Sequence, residues 1–221
     1  MSRRLVQAVL LVLGLAACAG APPPAAPPPQ PAMVDPDSAC LRDLERAHVV
    51  FEPAREYSGT GSCSVPNPVR VSSAGMRWSS PGVVSCQMAR VVDRFEEEVV
   101  QPLAVKFFGQ KVVQLHHMGT YNCRNQRNSS RTASAKGGAT GGRLSEHAKG
   151  QAIDVGAFQL ADGSVVSVKS HWSGAGRKSE FLHEVARASC DTFNVVLTPN
   201  HNREHHDHLH LDIGPHKLCG Y

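Results

Sequence analysis

Histidine is concentrated near the C-terminal end of this chain. Residues 204–212 read Glu-His-His-Asp-His-Leu-His-Leu-Asp, with imidazoles at His205, His206, His208 and His210. Side chains alternate faces along a strand. His208 and His210 would then share one face, joined by His206 if the strand reaches back that far. Leu209 and Leu211 would take the opposite, core-facing side. A second cluster lies upstream, where residues 145–154 read Ser-Glu-His-Ala-Lys-Gly-Gln-Ala-Ile-Asp. His147 and Asp154 are seven residues apart, not the i, i+4 spacing of two ligands on a helix. A loop histidine followed by a strand aspartate suits the gap, with Gly150 letting the backbone turn between them. Asp154 sits between Ile153 and Val155, where a carboxylate needs a metal or a charged partner.

Two imidazoles and one carboxylate make a three-ligand zinc set. Catalytic zinc has three protein ligands and an open fourth position, whereas structural zinc is usually closed by four. The metal polarises a carbonyl and lowers the pKa of a water. His205, Asp207 and His208 are all near enough in sequence to compete for the role of base. The competing reading is a metal-free His–Asp hydrogen-bond network.

These groups must be positioned by a folded scaffold. Residues 85–106 follow helical spacing, with Met88, Val91, Val92, Phe95, Val99 and Leu103 on one face and Ser85 as N-cap. Strands are expected at 111–118, 151–158, 164–168, 193–197 and 207–213, and a second helix at 178–188. Residues 40–73, rich in Gly, Pro and Ser, read as an irregular cap with short strands. Residues 124–143 read as a polar, basic, Gly-rich exposed loop. The pattern predicts an α+β fold, with a central, largely antiparallel sheet and flanking helices.

The N-terminal segment reads as a targeting sequence. Arg3 and Arg4 precede an apolar run, Leu5–Leu15, too short to span a bilayer. Leu15-Ala16-Ala17-Cys18 resembles a bacterial lipobox, in which Cys18 would be lipidated after removal of residues 1–17. An ordinary secretory signal cut near Ala17 is the plainer reading. The Pro-rich stretch within 18–37 is a semi-rigid spacer, roughly 3.1 Å per residue in polyproline II. The folded domain is expected over 38–221, large enough to bury roughly 70% of its unfolded surface. Six further cysteines in an exported chain argue for three disulfides. The sequential pairing is expected: Cys40–Cys63, Cys86–Cys123 and Cys190–Cys219. The formal charge is +4, or +2 without Arg3 and Arg4, and aromatics make up 5% of the chain. Neither argues for nucleic acid.

The pattern Ser145-x-His147-x-x-Gly150-x-Ala152-x-Asp154, followed by His208-x-His210, resembles the LAS metallopeptidases. These include lysostaphin-type enzymes, D-Ala-D-Ala carboxypeptidases and penicillin-insensitive murein endopeptidases. More closely, residues 38–221 resemble the bacterial extensin-like C-terminal family. That resemblance rests on Tyr121-Asn122-Cys123-Arg124, Ser145 to Phe158, and His205-x-Asp207-His208-x-His210-Leu211-Asp212. It implies a LAS/hedgehog-type peptidase fold and Zn2+ ligands at His147, Asp154 and His210. It implies acid–base work or oxyanion stabilisation for His208 and a further active-site histidine at His205. Asp207 falls where dipeptidase-type relatives carry a glutamate. Arg124 would grip a substrate carboxylate, although it stands three residues after Tyr121 where relatives often have Tyr-Arg adjacent. Ser145 would line the substrate or hold the loop.

The expected function is a zinc-dependent peptidoglycan peptidase cutting D-amino-acid amide bonds in stem peptides. His205 favours a D,D-endopeptidase over a D,D-carboxypeptidase. The expected location is the periplasm, lipid-anchored, at the outer membrane rather than the inner. The alternative is a non-catalytic cell-wall-binding lipoprotein that keeps the metal fold. A zinc store ranks below both, because the histidines sit in a core-like strand rather than a loose tract.

Overall fold

The computed structural model describes residues 36–58, 61–126 and 143–220. The expected signal peptide, Cys18, nearly all of the Pro-rich stretch and most of the basic loop lie outside the described residues. Where an irregular cap is expected, the described chain opens with a helix, α1 (Pro36–Arg46), whose Leu44 is fully buried. Strands β1 (Val50–Pro53), β2 (Pro68–Ser73) and β3 (Arg77–Ser85) follow as an antiparallel meander.

Ser85 then starts the expected helix. Its Oγ accepts the Met88 N–H at 3.1 Å, satisfying one of the free donors of the first turn. Helix α2 (Cys86–Phe95) buries Met88, Ala89, Val92 and Phe95. It runs through a π turn, Glu96–Val100, into α3 (Gln101–Phe108), which ends at Gly109 in the left-handed region. Pro102 has no N–H to donate and crowds the carbonyl four residues back, and the widened turn just before it absorbs both defects. The π turn begins at Glu96, which is fully buried and accepts the Met76 N–H at 2.7 Å and the Trp78 Nε1–H at 2.8 Å.

The remaining elements are β4 (Val112–Gly119), β5 (Ala152–Leu160), β6 (Val165–Ser167), α4 (Val168–His171), α5 (Arg177–Ser189), β7 (Val195–Leu197), β8 (Leu209–Asp212) and β9 (Leu218–Gly220). The sheet has nine strands in the order β1-β2-β3-β4-β5-β8-β7-β9, with β6 paired to β5 beside that path. Among the described residues only the β3–β4 and β7–β9 pairings are parallel. The fold is therefore mixed α/β with a largely antiparallel sheet. One face of the sheet buries Ile153, Val155, Phe158, Leu209 and Leu211, and α5 adds Phe181, Leu182 and Val185 to the same core. Phe181 meets Phe158 edge to face, with ring centroids 5.5 Å apart. Among the described residues no helix is long and apolar enough to cross a membrane.

Three disulfides form, but two of the expected pairings are wrong. Cys190–Cys219 is present as expected, whereas Cys40–Cys63 and Cys86–Cys123 give way to Cys40–Cys86 and Cys63–Cys123. The reason is the α1 helix. It packs against α2 and brings Cys40 to a Cα–Cα distance of 6.2 Å from Cys86. Cys63 is left to the segment after β4, where Tyr121 Oη donates to its carbonyl at 3.2 Å.

Candidate metal centre

Asp154 on β5 and His210 on β8 are directly opposed in an antiparallel register. Opposed residues on one sheet face bring their side chains within reach. His147 arrives from a single 3-10 turn, Glu146–Lys149, that precedes β5. Gly150 closes that turn at φ 63°. A Cβ there would come within 2.6 Å of Val65 Cγ1 and 2.8 Å of the Ser85 backbone nitrogen, so both conformation and space call for glycine.

The three donor atoms converge. His147 Nε2 is 3.2 Å from His210 Nδ1 and 3.2 Å from Asp154 Oδ1. His210 Nδ1 is 3.0 Å from the same Asp154 oxygen. Each ring is held from behind by an atom that can only accept. His147 Nδ1 donates to the Thr120 carbonyl at 2.5 Å. His210 Nε2 donates to Asp212 Oδ2 at 3.0 Å, while Asp212 Oδ1 takes the Gly214 N–H at 2.8 Å. These contacts fix the tautomers, so both rings turn their remaining nitrogens toward one another and toward Asp154. Two imidazole lone pairs at that separation need a cation or a proton between them.

The donor set fits a zinc ion. With metal–ligand bonds of about 2.0–2.1 Å, the edge of a tetrahedron is about 3.3 Å, close to the separations present. His147, Asp154 and His210 could thus hold a metal. In the absence of a cation a proton fills the same place. Burial works against charge on His210, but its hydrogen bonds to Asp154 and Asp212 prevail and raise its pKa to about 9. Burial likewise opposes ionisation of Asp154, and hydrogen bonds from His147 and His210 prevail, holding its carboxyl well below the usual range.

The other expected site residues occupy the turn before β8. The strand begins at Leu209, not Asp207, so His208 lies just outside it. His208 still reaches the centre, with Nε2 3.5 Å from Asp154 Oδ1. Asp207 is joined to that ring: its Oδ1 accepts from His208 Nδ1 at 2.9 Å. His205 ends a 3-10 turn, Arg203–His205, with its ring 5.2 Å from that of His208 and 5.8 Å from that of His210. Burial and the neighbouring His210 and His208 press its pKa down to about 4. His206 is exposed and bonds the Arg203 carbonyl at 2.9 Å.

Ser145 is buried and builds the His147 loop through its backbone. Its N–H donates to the Arg124 carbonyl and its carbonyl accepts from Ala148. Arg124 is half-buried on the strip that runs beside this loop, where Asn122 N–H donates to the His147 carbonyl at 3.2 Å. Trp172 lies apart from the donor group. It is buried, bonds Asn200 through Nε1 at 2.9 Å and stacks on His183. A bulge separates His116 from His117, and neither joins the donor group.

Residues 38–220 match the family model described as extensin-like protein C-terminus. The chain belongs to that family. No curated protein and no solved structure matches it. In this extensin-like domain three groups at the centre escape a reading of chemistry-bearing motifs: the Thr120 carbonyl, Asp212 as the anchor of His210, and Asn202, which contacts His205. Asp212 had a signal, because it stands two residues after His210 on one strand and so shares its face. A backbone carbonyl leaves none.

Proposed function

We propose that this extensin-like domain is a zinc-dependent peptidase cutting D-amino-acid amide bonds in peptidoglycan stem peptides, related to the LAS enzymes. The observation that carries the reading is the convergence of three protein donors, with both imidazole tautomers fixed from behind. Three ligands among the described residues, rather than four, leave room for a reacting group. His147, Asp154 and His210 would hold Zn2+, which supplies polarisation of the scissile carbonyl and acidification of a water.

The chain's own residues supply the rest. His208 Nε2, beside Asp154, can take or give a proton at the centre. Asp207 fixes the orientation of that ring. His205 stands alongside and favours the endopeptidase over the carboxypeptidase reading. Arg124 is the candidate for gripping a substrate carboxylate. Three disulfides suit an oxidising compartment, and the Leu15–Cys18 lipobox-like sequence suits a periplasmic, lipid-anchored enzyme at the outer membrane.

The test is incubation with purified muropeptides, with and without a chelator, alongside His210→Ala. Cleavage of cross-linked dimers or pentapeptides by wild type alone, abolished by chelation, is the expected result. If zinc-loaded wild type binds muropeptides and leaves them intact, the wall-binding lipoprotein takes its place.

A further inference from the structure

His205 Nδ1 lies 2.8 Å from Asn202 Oδ1. The same oxygen accepts the Glu204 backbone N–H at 2.9 Å. A backbone N–H can only donate, so this atom of Asn202 is its carbonyl oxygen and not its amide nitrogen. An oxygen acceptor demands a proton on His205 Nδ1. The neutral ring then keeps its lone pair on Nε2, which has no hydrogen bond to any described residue. His208 is held differently, by the carboxylate of Asp207.

We propose that Asn202 is a positioning residue that locks His205 in the Nδ1–H tautomer, keeping Nε2 as an acceptor for a substrate N–H beside the metal centre. The donor would be the amide or ammonium N–H of a stem peptide, so the inference rests on the peptidase reading of the site. Asn202 also caps the 3-10 turn that carries His205. One side chain therefore sets both where the ring sits and which nitrogen it offers.

The test uses the full chain, first without metal. Long-range proton–nitrogen NMR spectra at about pH 8 read which ring nitrogen of His205 is protonated. Wild type is expected to give Nδ1–H. Asn202→Ser keeps a capping oxygen for the turn but is too short to hold the ring, and a mixture of tautomers should follow. Asn202→Asp keeps the acceptor and should keep Nδ1–H. With zinc restored, Asn202→Ser should lower kcat/KM on cross-linked muropeptides about 10–100-fold, the range for loss of a supporting partner. Zinc stoichiometry should not change, and Asn202→Asp should recover turnover relative to Asn202→Ser. An Nε2–H ring in wild type overturns the proposal. So does an Asn202→Ser protein with unaltered tautomer and turnover. A wild type with the expected tautomer, lost in Asn202→Ser, that cuts no muropeptide would strike the peptidase reading alone and leave the lock standing.

Discussion

The wall that carries His147, Asp154 and His210 is made of core, whereas the wall that carries His205 and His208 is a surface turn. His147 is 1% exposed, and its rear contact is a backbone carbonyl. Asp154 and His210 are set by cross-strand register, between leucines, isoleucine and valine that the fold cannot do without. The facing turn is half-exposed, and its histidines are anchored by side chains, Asn202 and Asp207. The core-wall residues are thus tied to folding, and the turn histidines are tied to local side-chain contacts. Substitutions in the second wall are therefore expected to leave the first folded.

Breaking the core wall should have the larger effect. Asp154→Ala removes one of three donors. It is expected to leave no stoichiometric zinc after dialysis and no turnover, checked by metal analysis and muropeptide digestion. Retained zinc would show that the three donors do not act as a set. His208→Ala attacks the other wall and should behave differently. Zinc stays bound while kcat falls about 10²–10⁴-fold, the usual worth of a positioned acid–base group. Loss of zinc with His208 would erase the distinction between the walls.

Asp212→Ala sharpens the comparison from behind the site. It frees His210 Nε2 without touching a donor atom. Zinc affinity should weaken about 10–100-fold, read by competition with a chelating dye.

The gentlest perturbation is of pH, which alters no residue. Without metal, the folded-state pKa of His210 is raised from 6.5 to about 9. The stability it contributes is complete below about pH 6.5 and is lost as pH rises through about 9. Zinc must displace that proton, so its affinity should strengthen with pH in this window, by at most about tenfold per unit. Titrations across it decide the matter, and a flat profile would mean that His210 binds no proton that zinc displaces.

Periodicity revealed the elements that position the site. Ser85 as N-cap, the long helix after it, the strands around Asp154 and His210, and the buried Leu209 and Leu211 all follow from local spacing and capping. Asp154 among apolar neighbours was legible as a carboxylate in need of a partner. The pairing of Cys40, Cys63, Cys86 and Cys123 was not, because it depends on where α1 docks, and the composition of 40–73 hides that helix, whereas Cys190–Cys219 was read correctly. Asn202 was equally hidden. Its neighbours Arg203 and Glu204 carry no apolar rhythm, and a short 3-10 turn has no period long enough to read.

Gly150 has a consequence for how the centre opens. Its carbonyl accepts the Ser85 N–H at 2.8 Å, and the Ser85 side chain caps α2. The loop bearing His147 is therefore stitched to the start of a core helix formed far earlier in the chain. Fraying of that loop would strip a partner from the residue that caps the helix. Amide exchange at Ser85 should then track global unfolding rather than a local opening, which makes the His147 loop a fixture and not a lid.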